Sequence, residues 1–138
     1  YFARHRNVVE IKYACEDGAI PHLFGVLQFT VDSPVIAVCE GEFDAIVATE
    51  AGIPAVGVAG TENWRSHWRY LFEPYDEVVF LADGDDAGRV FAKKVSSSLY
   101  NARIAHMPEG LDVTDFVLAN GAQALRERAG LEGHEGAG

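Results

Sequence analysis

The stretch PVIAVCEGEFDAIVATEAGIPAVGV, residues 34–58, decides the fold. VIAVC (35–39) is an unbroken apolar run, EFDAIVATEAG (42–52) carries helical spacing and closes on Gly52, and PAVGV (54–58) is apolar again. A strand buried on both faces reads as a continuous apolar run, so this is a βαβ unit with parallel strands. Working outward, EVVFLA (77–82) is a further apolar strand, a helix is expected from Asp86 to Tyr100, and ARIAHM (102–107) is a fourth strand. Two helical pieces follow, DVTDFVLAN (112–120) and AQALRERA (122–129). Thr61 is placed to cap a helix over 62–72 that Pro74 ends. Ahead of the unit, VVEIKYA (8–14) and FGVLQFTV (24–31) read as two short strands forming a leading flap.

Right-handed crossovers then predict a four-stranded, mainly parallel α/β sheet in the order 2-1-3-4, with helices on both faces. Residues 1–33 form the leading β segment, 34–129 the main domain, and the Gly-rich end, 130–138, is expected to be a disordered tail. The first residue is Tyr1 rather than Met, which suggests a piece of a longer polypeptide. No apolar run reaches the ~20 residues that span a bilayer, so no membrane partner is expected. Cys15 and Cys39 form no CxxC pair, in keeping with a reducing cytoplasm, and Cys15 with His22 lacks two further ligands for structural zinc.

Net charge is −10, from 11 Lys and Arg against 21 Asp and Glu. Residues 35–88 hold two basic and eleven acidic groups, hence −9 of the total. Several of these acids stand at strand ends. The first strand runs into Glu40 and the third into Asp83 and Asp85, and in the 2-1-3-4 order those strands are neighbours about 4.8 Å apart. In open α/β sheets ligands bind beyond the carboxyl ends of such strands. Converging carboxylates repel unless a cation lies between them, and an all-oxygen set selects Mg²⁺ or Mn²⁺. Gly41 and Gly84 each follow a critical acid, where a side chain would obstruct the strand-to-helix turn or the close approach of a phosphate; Gly88 suggests tight packing. Arg89 and Lys93 share one face of the following helix and are candidate phosphate contacts, although solvated helix charges are commoner. Trp64, His67 and Trp68 fit a core stripe better than a base-stacking platform.

CEGEFDA (39–45), VAGT (58–61), LADGDDAG (81–88) and MPEGLDVTDFV (107–117) resemble, in that order, the signature segments of the Toprim domain of DnaG-type bacterial and bacteriophage primases. The resemblance covers about residues 34–120 and implies the Rossmann-like Toprim fold. It implies that Glu40, Asp83 and Asp85 bind the catalytic metals, with Glu40 a ligand or general base, and that Asp44 and Asp112 match the family's further acids and belong to the same metal set. Gly60 and Thr61 fall in the VAGT segment and join Gly41, Gly84, Arg89 and Lys93 as nucleotide contacts. Many primases read DPD in the last segment; here Asp112 matches, Thr114 occupies the next acidic position, and Asp115 follows.

The implied function is primer synthesis: metal-dependent nucleotidyl transfer from ribonucleoside triphosphates on a single-stranded DNA template, in the cytoplasm of a bacterium or phage-infected host. Upstream zinc-binding and basic segments, and a replicative helicase, are the implied partners; the isolated chain is expected to prime poorly. The alternatives are a Toprim nuclease or topoisomerase part using the same acids for phosphodiester cleavage, or a non-catalytic scaffold that binds DNA or a helicase.

Overall fold

In the computed structural model, residues 23–58 and 64–131 are described. Their strands are β1 (Leu23–Phe24), β2 (Val35–Cys39), β3 (Ala55–Val58), β4 (Glu77–Ala82) and β5 (Ala102–His106). The helices are α1 (Glu42–Glu50), α2 (Arg69–Phe72), α3 (Asp86–Ser96), α4 (Val113–Asn120) and α5 (Ala122–Arg128). One sheet runs β1-β3-β2-β4-β5. Its parallel part is the expected 2-1-3-4 order, with Val38 paired to Val56 on one side and to Phe80 on the other. β5 continues in parallel from β4, with Val78 opposite Ala102 and Ala82 opposite His106. β1 adds an antiparallel edge, Leu23 opposite Val58.

Strand alternation sorts the apolar runs into two cores. Ile36, Val38, Val78, Phe80 and Ala82 face Phe29, Trp68, Phe72, Phe91 and Val95. Val35, Ala37, Cys39, Val79 and Leu81 face Ala45 and Ala48 of α1, Val113 and Phe116 of α4, and Leu125 of α5. With α3 on one face and α1, α4 and α5 on the other, both sides of the sheet are covered. Every residue of β2 is buried, which is why its sequence shows no polar alternation.

Three elements differ from the sequence expectation. Residues 24–31 do not form a strand: pairing stops at Phe24, Gly25 takes φ 84°, and Val26–Thr30 is a 3₁₀ turn. The turn carries Phe29 into the core against the Phe72 ring, 5.2 Å away and nearly perpendicular. The other expected flap strand, 8–14, lies outside the described residues. Over 64–72, the described part of the helix expected at 62–72, the chain forms a 3₁₀ turn, Ser66–Trp68, running into α2. Trp64 and Trp68 are both core residues, edge to face at 5.5 Å, while His67 is exposed, so ring packing rather than helical periodicity sets this stretch. α3 stops at Ser96, four residues early, where Ser97 and Ser98 turn their hydroxyls back onto the Lys94 and Val95 carbonyls at 2.8 and 2.7 Å.

At the other end, Gly130 (φ 80°) and Leu131, within the stretch expected as tail, close α5 in a Schellman arrangement: the Gly130 amide donates to the Glu127 carbonyl and the Leu131 amide to that of Arg126. Leu131 packs into the second core. Residues 132–138 lie outside the described part. No described helix is long and apolar enough to cross a membrane.

Candidate metal and nucleotide site

β2 and β4 are hydrogen-bonded neighbours, so the residues following them leave the sheet side by side. Glu40 and Asp83 are both half-buried there. Glu40 Oε2 and Asp83 Oδ1 are fully enclosed and have no hydrogen-bond partner. The first turn of α3 closes over them. A Cβ on Gly88 would stand 2.5 Å from the Asp83 carbonyl oxygen, 2.8 Å from Glu40 Oε2 and 3.0 Å from Asp83 Cβ. Gly88 is therefore required by close packing, as its sequence position suggests.

Electrostatics follow from this enclosure. Burial, then the charge of Glu40, then those of Asp44, Asp112 and Asp85, push the Asp83 carboxyl up to about 8. Glu40 is raised too, chiefly by burial and with help from Asp85 and Asp44, while contacts with Asp83 partly oppose the shift. Beneath them the buried Cys39 thiol is pushed well up, by burial first and by the surrounding acids second. An enclosed thiol held in its neutral form is a packing group.

The remaining acids are differently placed. Asp85 is exposed and caps α3, its Oδ1 accepting the Gly88 amide at 2.6 Å. Asp44, in the first turn of α1, is buried, and its Oδ1 accepts both the Thr114 amide at 3.0 Å and the Thr114 hydroxyl at 2.6 Å. Asp112 caps α4 in a reciprocal box: its Oδ1 accepts the Asp115 amide at 2.7 Å, and its own amide donates to Asp115 Oδ2 at 3.3 Å. Its carboxyl is raised, mainly by burial. The residues around the departing DVTD segment thus have separate tasks, Asp115 completing a cap and Thr114 holding Asp44.

Among the described residues, no three His, Cys, Asp or Glu side chains stand in a ligating arrangement. The structure brings Glu40 and Asp83 together and turns one oxygen of Asp85 to capping. Two orphaned carboxylate oxygens with no nitrogen or sulfur donor beside them still fit Mg²⁺ or Mn²⁺, because Mg²⁺ keeps several waters and takes only one or two protein carboxylates.

The glycines divide as well. Gly41 is extended, φ −154°, and nothing lies within 4 Å of where its Cβ would be, so the turn after β2 is open to a ligand. Gly84 is crowded by the chain itself. What approaches it is protein backbone, since a Cβ there would stand 1.9 Å from the Pro108 carbonyl oxygen. Gly84 also donates to the Leu111 carbonyl at 2.9 Å and accepts from the Gly110 amide at 2.7 Å, tying the MPEGLD loop to the DGD turn. Sequence reasoning missed Gly57, where a Cβ would meet the Gly41 carbonyl oxygen at 2.6 Å; a glycine inside a strand is the signal for such an approach. It also missed Thr114 as a partner of Asp44.

Arg89 is ion-paired to Asp86 at 2.6 Å and to Glu109 at 3.4 Å, and Lys93 is exposed toward the end of α3. Gly60 and Thr61 lie outside the described residues.

The sequence pattern of the Toprim-like family matches residues 37–117, which spans β2 through α4 and includes every acid described above. The Gene 57 protein of Mycobacterium phage D29 is 48% identical over 117 residues, covering 85% of this chain and 77% of that protein. The DNA primase of Pseudomonas aeruginosa is 33% identical over 114 residues, covering 77% of this chain but only 17% of the primase. Among solved structures, a DnaG primase catalytic domain bound to single-stranded DNA superposes with a TM-score of 0.62 at 27% identity, covering 78% of this chain and 38% of that one.

Proposed function

This chain belongs to the Toprim-like family, and from that premise we propose that it is the catalytic part of a DNA primase, holding Mg²⁺ or Mn²⁺ for nucleotidyl transfer. The observation that carries this is the pair of enclosed, unpartnered oxygens, Glu40 Oε2 and Asp83 Oδ1, at the ends of adjacent parallel strands. Leaving two carboxylate oxygens enclosed and unpaired costs stability, and such an arrangement persists where a ligand completes it.

Glu40 and Asp83 would hold the ion, with Asp85 at its rim. The chemistry a divalent cation held there would supply is a lowered pKa for an attacking 3′-hydroxyl and neutralisation of charge on the triphosphate. Glu40, its carboxyl raised by burial, is suited either to hold the ion through Oε2 or to act as the general base for that hydroxyl. The open turn at Gly41 leaves main chain accessible to phosphate. Arg89, held beside the site by Asp86 and Glu109, and Lys93 would meet phosphate from α3, and Gly60 and Thr61 are proposed as further nucleotide contacts.

The template needs other help. A region of net charge −9 repels a DNA backbone, so binding single-stranded DNA calls for a basic surface supplied elsewhere, as zinc-binding and basic primase segments would do. A replicative helicase is a further proposed partner.

Primer synthesis on single-stranded template, with those segments supplied, tests the proposal. Glu40→Gln should abolish most turnover at saturating nucleotide while nucleotide binding changes little; unchanged turnover removes Glu40 from the chemistry.

A further inference from the structure

Asp44 is the buried charged residue among the described residues, and its charge is already compensated within the protein. Asp112 caps α4 and satisfies the amide of Asp115, three positions on. The amide of Thr114, another of the donors a helix start leaves without an intrahelical partner, points to Asp44 on α1 instead. The Thr114 hydroxyl adds a second, shorter bond to the same oxygen. Bonds of this kind, at the positive end of a helix, compensate a carboxylate from within the protein. Glu40 Oε2 and Asp83 Oδ1 have no such donors.

From this contrast we infer that Thr114 is a positioning residue that fixes α4 against α1 through Asp44 and withdraws Asp44 from the ligand set, as the Asp115 capping box withdraws Asp112, so that the chain takes one divalent ion, at Glu40 and Asp83. The inference refines the metal assignment proposed above and rests on it for the location of that ion. The hydroxyl matters because of its proton. A carboxylate at position 114 would set two anions against each other, and a second cation would have to join them; threonine joins them by donating.

Counting Mn²⁺ on the folded chain by the electron paramagnetic resonance signal of the free ion tests this directly. The wild type, Thr114→Ser and Asp44→Asn are expected to bind one ion each, since asparagine keeps the Oδ1 acceptor and serine keeps the donor. Thr114→Asp is expected to bind two, with a larger rise in Tm on Mn²⁺ addition than the wild type shows. Two ions on the wild type, falling to one in Asp44→Asn, would overturn the inference; should that variant not fold, Asp112→Asn answers the same question. A folded Thr114→Asp that still binds one ion would overturn it too. No ion on the wild type with one on Thr114→Asp would mean that the Glu40–Asp83 assignment has failed while the role of Thr114 stands.

Discussion

The two sets of acids at the mouth of this sheet differ in how their charge is met. On the β2–β4 side, Glu40 and Asp83 are half-buried and raised, and each keeps one enclosed oxygen without a partner. On the α1–α4 side, Asp44 receives two hydrogen bonds from Thr114, and Asp112 is locked into a capping box. The same residue type, in one electronegative region, thus has an enclosed oxygen short of donors in one place and an oxygen supplied with them in the other. Carboxylates that hold the fold together are satisfied by it, and those left for a ligand are not.

The largest test of this contrast is catalytic. With the remaining primase segments supplied, Asp83→Asn should lower primer-synthesis turnover by about 100-fold or more, as loss of a group acting on the reacting centre does. Thr114→Ser, on the satisfied side, should leave turnover within a few fold, because the donor is retained. Equal losses in the two variants would erase the distinction.

Next is the joint between the sides. Gly84→Ala drives a methyl group onto the Pro108 carbonyl, and backbone on both sides limits relaxation. A loss of roughly 3 kcal/mol in urea-denaturation stability is expected. An unchanged midpoint would mean that the MPEGLD loop moves freely from the DGD turn.

Smaller, and of opposite sign on the two sides, are the effects of removing charge without metal. Asp44→Ala leaves the Thr114 amide and hydroxyl without their acceptor and should cost about 1–3 kcal/mol. Asp83→Asn, measured in chelator, should be neutral or stabilising, because it removes a carboxyl that must take up a proton to be enclosed beside Glu40. A clear loss of stability in Asp83→Asn would reveal a structural partner for that carboxylate.

The mildest effect is on pH dependence. Asp83 is raised to about 8 in the folded chain, so between the ordinary aspartate range near pH 4 and pH 8 the folded state keeps a proton that the unfolded state releases. Stability in chelator should therefore fall as pH rises through that window. Glu40, raised in the same sense, adds to the slope. Melting temperatures across pH 5–9 should show a shallower fall in Asp83→Asn, and also in wild type with saturating Mg²⁺; parallel curves for all three would refute the coupling.

Much of this was legible from local pattern. Apolar runs ending in an acid and a glycine located the ends of β2 and β4, because a strand covered on both faces has no polar alternation and its first polar residue marks its exit from the sheet. What misled the local reading was packing from a distance. Residues 26–30 have strand-like composition, yet Phe29 turns inward to meet Phe72 and the chain curls at Gly25. The helix expected at 62–72 gave way to the contacts of Trp64 with Trp68 and Phe72. Gly84 reads as room for a sharp turn or for a phosphate, and only the tertiary structure brings the Pro108 backbone beside it.

By itself the sequence determined which residues could carry charge to the mouth of the sheet, since strand order and the position of each acid after its apolar run are written in periodicity and in the right-handed crossover rule. Only the tertiary structure decided which of those charges are compensated. Asp44 and Thr114 are 70 residues apart, and the bonds between them exist because α1 and α4 pack side by side on one face of the sheet. Glu40 and Asp83, equally acidic in the sequence, are enclosed by α3 at Gly88, where no donor reaches Glu40 Oε2 or Asp83 Oδ1. Hydrogen bonding needs atoms within about 3 Å in the right direction. That condition is set by how helices lie on the sheet and has no counterpart in the order of residues along the chain.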